Sequence, residues 1–288
     1  MILIFLNIIQ VVMKAEQIIG KLGRIVFLVF IIAISTVPLL WTLVSSFKTN
    51  KEIMDSAFSL PASINLDNYI MAFKYSPLGT YFWNTFIITV FCIFFGLIIF
   101  SMSAYVFARF EFKGKNFLFA LIGMSMLVPT SALIFPVYKL MNAMNLYNTK
   151  SGLVLVYMAI AMPSVLFVLR SYFLTIPKEM EEAARIDGSG FMRTYITIML
   201  PLVKPAMATA AILIFMASWN DFIYNLMLSS GNNARNVSVA LSQFLSMFGS
   251  DYGQLFAASF IVVLPSILLY CLLQKRIESA LLAGAVKG

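Results

Sequence analysis

The run Ile176-Pro177-Lys178-Glu179-Met180-Glu181-Glu182-Ala183-Ala184-Arg185-Ile186-Asp187-Gly188, followed by Phe191 to Leu200 and closed by Pro201, decides the fold. Proline in a first-turn position costs little, because that N–H has no partner within the helix. Three glutamates lie near the positive end of the helix dipole, and glycine supplies the stop. A short surface helix ending at Gly188 is therefore expected. Phe191 to Leu200, with Arg193 and Tyr195, is a second helical stretch ended by Pro201, so two short helices meet at a glycine turn. The segment fills a polar stretch of roughly thirty residues, 173–205, between apolar runs, and ordered loops of that length usually carry function.

Outward from this loop the chain is strongly apolar. Hydrophobic residues make up 61% of its 288 residues and charged residues 11%, against about 25% charged in soluble domains, and mean hydropathy is +0.93. The expected fold class is an all-α membrane protein. A spanning helix needs about 20 apolar residues, and six runs qualify: Ile25 to Phe47, Phe82 to Phe107, Phe117 to Val137, Gly152 to Leu169, Ala206 to Leu228 and Leu255 to Leu273. Pro38, Pro129, Pro136, Pro163 and Pro265 fall inside them. Such prolines survive only where neighbours satisfy the freed carbonyls, which implies a packed bundle.

With six spans both termini lie on one side, and 14 of the 20 basic residues lie there too. The positive-inside bias makes that side cytoplasmic and accounts for the net charge of +8 without a nucleic-acid partner. The resulting division is a cytoplasmic segment 1–24, a membrane domain 25–273 containing the 173–205 loop, and a cytoplasmic tail 274–288. Met1 to Val12 is apolar but too short to span; it lacks a basic leader and a small-residue cleavage site, so translation from Met13 is the preferred reading. The two cysteines lie in apolar runs and histidine is absent, which weighs against disulfide frameworks, metal sites and acid–base catalysis.

Glu182-Ala183-Ala184, three residues, Gly188, nine residues, then Ile198-Met199-Leu200-Pro201 resembles in full the E-A-A-x3-G-x9-I-x-L-P signature of permease subunits of binding-protein-dependent ABC importers. Its place, in the last cytoplasmic loop with two spans after it, is similar too. Val44-Ser45-Ser46-Phe47-Lys48-Thr49, Ala104-Tyr105-Val106-Phe107-Ala108-Arg109-Phe110, Phe112-Lys113-Gly114-Lys115, Trp219-Asn220-Asp221-Phe222 and Gly284-Ala285-Val286-Lys287-Gly288 look like the smaller permease of maltose-type (carbohydrate uptake family 1) transporters. The resemblance implies a type I importer bundle in a prokaryotic plasma membrane, with a cytoplasmic coupling helix. It also implies three kinds of partner: a second, homologous permease, two ATPase subunits or domains, and an extracellular sugar-binding protein. Coupling to the ATPase is assigned by it to Glu182, Ala183, Ala184, Arg185, Asp187, Gly188, Leu200 and Pro201. No G-x-x-x-x-G-K-[ST] loop occurs here, so ATP and Mg belong to the partner ATPases; the chain is expected to be no enzyme and to carry no cofactor or metal.

Asp221 is the only acidic residue within the spans, and a buried carboxylate in a membrane is by default a functional candidate. Together with Trp219 and Asn220 it forms a substrate-path candidate, with indole stacking on a sugar ring and amide bonding to hydroxyls. Packing between helices explains the same three residues equally well. In the outer loop from Ser229 to Gln254, Val237, Ala240, Leu241, Phe244, Leu245 and Phe248 follow a helical spacing and predict an amphipathic helix. Two further readings remain open. An ABC permease for a non-sugar solute shares the Glu-Ala-Ala loop without the flanking sugar-type strings. A proton-coupled secondary transporter usually needs several intramembrane acids and a repeat.

Overall fold

The computed structural model describes the backbone of residues 2–247 and 251–285, and the side chains of 23–74, 76–242, 251–268 and 271. Among the described residues all regular structure is helical. The chain divides into two units, residues 1–70 with 250–260, and 71–249 with 261–288.

The first unit holds α1 (Ile2–Ser46), α2 (Asn50–Asp55) and the first turns of α3 (Asp67–Tyr75) and α14 (Tyr252–Ala285). Within α1, Gly23–Ser46 is apolar and long enough to cross a membrane, matching the first expected span. The start-site reading for Met1 to Val12 falls on side chains outside the described residues. Below α1 the chain ties a polar knot. Lys48 is fully buried and donates to the carbonyls of Ser56 and Ala57 at 3.2 and 3.0 Å. Thr49 and Glu52 form a reciprocal capping box on α2, and the second Glu52 oxygen accepts the Ala62 N–H. Asn68 donates to the carbonyls of Ser46 and Lys48, each at 2.8 Å. These bonds satisfy backbone groups that the turn leaves without helical partners.

The second unit is built on α4 (Leu78–Arg109), α7 (Lys150–Thr175) and α11 (Lys204–Trp219), which pack on one another. Their contact buries Ile88, Cys92, Phe100, Tyr157, Val165, Leu169, Ala210 and Ile214. Gly96 allows the close approach, since a Cβ there would lie 2.9 Å from the Ile214 side chain. In lipid the hydrophobic drive between helices is small, so close packing and interhelical hydrogen bonds carry the association. The opposite face of α4 exposes Phe91, Phe94, Phe95, Ile98 and Ile99. That pattern suits a surface covered by lipid or by another subunit.

Among the described residues three helices, Gly23–Ser46, Leu78–Arg109 and Lys150–Thr175, are long and apolar enough to span, or five if each of two bent pairs counts as one span. The expected straight span Phe117 to Val137 is instead α5 (Lys115–Ser125) followed by a 3-10 turn, Thr130–Leu133, and α6 (Ile134–Ala143), with the two arms at 98°. Pro129 caps the 3-10 turn; lacking an N–H and clashing with the preceding turn, it breaks the helix. The expected span Ala206 to Leu228 is likewise interrupted after Trp219 and resumes as α12 (Ile223–Leu228). The sixth run, Leu255 to Leu273, lies on α14, of which Tyr252–Leu268 is a shorter apolar helix and most later side chains fall outside the described residues. The helix expected in 229–254 forms as α13 (Val237–Met247), with Val237 and Ala240 buried and the Val237 N–H bonded to Thr85 of α4 at 2.9 Å. Phe248 lies outside the described residues.

Candidate functional site

After α7 the chain is extended at Ile176, and α8 (Glu179–Ile186) begins behind Lys178 as N-cap. Pro177 therefore stands just before the cap and not in the first turn, within the one- or two-residue latitude of helix ends. The helix stops as the glycine predicts. Gly188 has φ +76, its N–H bonds the Arg185 carbonyl at 3.0 Å, and the Ser189 N–H reaches the Ala184 carbonyl at 2.8 Å. This is the paired-bond cap that a left-handed residue permits. Next come α9 (Phe191–Thr194), a π-turn at Tyr195–Met199, and α10 (Leu200–Leu202) with Pro201 in its first turn. Inserting one extra residue per turn is a recognised way to relieve the carbonyl clash and missing donor that proline brings. The arm Phe191–Leu202 meets α11 at 81°.

Helical spacing splits the candidate residues between two faces of α8. Glu182, Ala183, Arg185 and Asp187 point outward, as does Ile186, which is 86% exposed. Glu181 and Ala184, three apart, are buried. Pro201 is exposed and Leu200 half-buried. Sequence reasoning overlooked Glu181, treating it as one of three dipole-facing acids; its register with Ala184 was the available signal.

Glu181 reaches the end of α4. Its Oε1 lies 2.6 Å from Arg109 Nε, with the two side chains 9% and 5% exposed respectively. The Nε–H is not aligned on that oxygen, so the contact is a charge pair more than a directed hydrogen bond. Arg109 Nη2 also donates to the Ile176 carbonyl at 2.6 Å, and Tyr105 donates to Glu181 Oε2 at 3.2 Å. Around Tyr105 stand the rings of Phe110, Phe173, Phe191 and Tyr195, with centroids 5.4 to 5.7 Å away. Tyr195 shares a 2.6 Å hydrogen bond with Ser101 of α4. Thus α4, the end of α7, α8 and the π-turn converge on one buried cluster.

The second candidate group is arranged differently. Asp221 caps α12: Oδ2 accepts the Asn225 N–H at 2.9 Å, Oδ1 accepts the Tyr224 N–H at 3.4 Å, and Tyr157 of α7 donates to Oδ2 at 2.9 Å. Its carbonyl accepts from Asn236 Nδ2 at 2.5 Å, and Asn225 in turn binds the Ala234 carbonyl and the Asn236 N–H. Trp219 is 3% exposed, donates its indole N–H to the Val262 carbonyl at 3.3 Å, and stacks on Phe215. Of the three, only Asn220 is exposed, within 3.4 Å of Ser266. Asp221 thus makes capping contacts and Trp219 packing contacts within the bundle. No group of three or more His, Cys, Asp or Glu fit to hold a metal occurs among the described residues.

Long apolar helices, two bent helix pairs and a two-helix hairpin tied to α4 define a polytopic α-helical membrane protein. Residues 98–282 match the binding-protein-dependent transport system inner membrane component family, and the chain belongs to that family. It is 36% identical over 253 residues to the diacetylchitobiose uptake system permease protein NgcG of Streptomyces coelicolor, covering 87% of this chain and 84% of that one. It is also 32% identical over 277 residues to the trehalose/maltose transport system permease protein MalG of Thermococcus litoralis, covering 95% and 99%. The fold is shared with a chain in the crystal structure of a bacterial ABC transporter that imports the acidic polysaccharide alginate, at TM-score 0.77 and 22% identity over 91% of this chain and 97% of that one.

Proposed function

We propose that this chain is the smaller membrane subunit of an ATP-driven importer for a sugar or oligosaccharide in a prokaryotic plasma membrane. It forms the translocation path with a second, homologous permease, while ATP and Mg are bound by two separate ATPase subunits or domains. A sugar-binding protein delivers substrate from outside. In this reading the chain crosses the membrane six times, with 1–24 and 274–288 in the cytoplasm and 173–205 as the coupling loop. The observation that carries the reading is the two-faced hairpin: Glu182, Ala183, Arg185 and Asp187 face outward at a glycine turn while Glu181 fixes the opposite face to the bundle. Small residues allow close approach of a soluble partner, and exposed carboxylates suit a basic groove on it.

Substrate class is supported by the relatives, which are uptake permeases for diacetylchitobiose and for trehalose or maltose. A solved structural relative was crystallised with an alginate pentasaccharide-bound periplasmic protein. The expected outcome is ATP-dependent accumulation of a radiolabelled oligosaccharide by cells expressing the whole complex, tested with a panel of chito-, malto- and arabino-oligosaccharides. Accumulation of an amino acid or phosphate, with every oligosaccharide refused, would replace sugar with a non-sugar solute.

A further inference from the structure

The outward face of α8 has an evident use; the inward face poses a separate question. Both covalent routes out of α8 contain breaks. Towards α7 the chain passes through the extended Ile176 and Pro177. Towards α11 it passes through the Gly188 turn, a π-turn and an 81° bend. A push on α8 carried only along the backbone would be absorbed by those joints, since hinges are the few residues that take up large torsion changes.

We propose that the Arg109–Glu181 pair is a positioning strut that joins α8 to the end of α4, so that a stroke on the hairpin enters the bundle through α4. The inference rests on the coupling role proposed above and names the residues that transmit it. Arg109 terminates α4 and holds Glu181 and the Ile176 carbonyl together, so one guanidinium ties α8 and the exit of α7 to α4. Tyr105, one turn earlier on α4, grips the other Glu181 oxygen from within its aromatic box. From there α4 packs along both α7 and α11, with Gly96 against Ile214, so displacement of its end is passed to the core. Stability alone does not call for these charges, because buried ion pairs can often be replaced by apolar residues of similar size without loss. Both side chains are buried on the inward side of α8, away from its exposed face, so they act by position.

The test uses the assembled complex with its partner permease, ATPases and binding protein. Spin labels are placed at the exposed positions Ile186 on α8 and Ile99 on α4, in a background with Cys92→Ser and Cys271→Ser. The label distance is compared between the nucleotide-free state and the state trapped with ATP and vanadate. With the native pair the distance stays constant; with Arg109→Met and Glu181→Met together it changes between the two states. In the same double variant, stimulation of ATP hydrolysis by the binding protein falls at least about fivefold, the lower end of couplings between linked sites. Unchanged stimulation, or an equal distance change in both proteins, overturns the strut. If the double variant fails to assemble, Glu181→Gln is measured against the same two criteria. Glu182→Lys serves as control: should it retain its ATPases, the coupling reading itself fails, whereas its loss of ATPase beside a silent Glu181 variant sinks the strut alone.

Discussion

Replacing Asp221 by alanine separates a capping role from a solute-binding role. The carboxylate accepts two backbone N–H groups at the start of α12 and the hydroxyl of Tyr157, a side chain 1% exposed. Although Phe222 is the cap position, losing a side chain that accepts the first free N–H groups of a helix costs about 1 kcal/mol. A buried hydroxyl left without its acceptor adds about 1–3 kcal/mol. Because the two effects share one side chain they do not simply add, and about 3 kcal/mol is expected. At about 2–4 °C per kcal/mol for a chain of this size, the apparent Tm falls by about 6–12 °C. Asp221→Asn keeps an acceptor for Tyr157 and for the cap and should lose less than a third of that. The assay is the loss of monodisperse complex in detergent after heating, with uptake measured at a temperature where both variants stay folded. A thermally normal Asp221→Ala complex that no longer transports would refute the capping assignment and return the residue to the substrate path.

Two further outcomes follow from local geometry. Gly188→Val puts a β-branched residue at φ +76 with open space around its Cβ, so the cost is purely backbone strain of about 1–2 kcal/mol; faster trypsin cleavage at Arg185 and weaker ATPase retention are expected, and a Gly188→Asn variant should suffer less of both. Glu52 has its carboxyl held below the ordinary 4.5 by the Thr49 N–H, then the Ala62 N–H and the Thr49 hydroxyl. A depressed carboxyl contributes stability above the unfolded value that is lost as pH falls through the folded one. Hydrogen exchange across 49–62 should therefore rise only below that ordinary value, and Glu52→Gln should abolish the pH step; exchange that rises equally in both proteins contradicts the assignment.

The helical class, the positions of the long spans and the hairpin were legible because they rest on local signals: apolar length, a glycine stop, a proline boundary. The breaks were not. Pro129 looked like a tolerated kink, yet the arms meet at 98°, which depends on how α5 and α6 pack against α7 and α12. Asn220 to Phe222 were read as part of one continuous span, and only the Tyr157 hydroxyl and the α12 amides show Asp221 bonded at the start of α12. The proposed coupling residues came from a spaced motif. Their inward anchor did not, because Arg109 lies 72 positions before Glu181 and no periodicity links residues on different helices.

The central claim is that the exposed face around Glu182 engages a soluble ATPase. Its most direct measurement is the amount of ATPase subunit that co-purifies with a Glu182→Lys permease, normalised to permease in the membrane. A lysine placed against a basic groove introduces like-charge repulsion worth several kcal/mol. Membrane insertion should be unaffected, since Glu182 is exposed outside the apolar spans. The account predicts normal permease, ATPase retention reduced at least about tenfold for the loss of 1.4 kcal/mol, and no uptake. Full ATPase retention together with full oligosaccharide accumulation would contradict it.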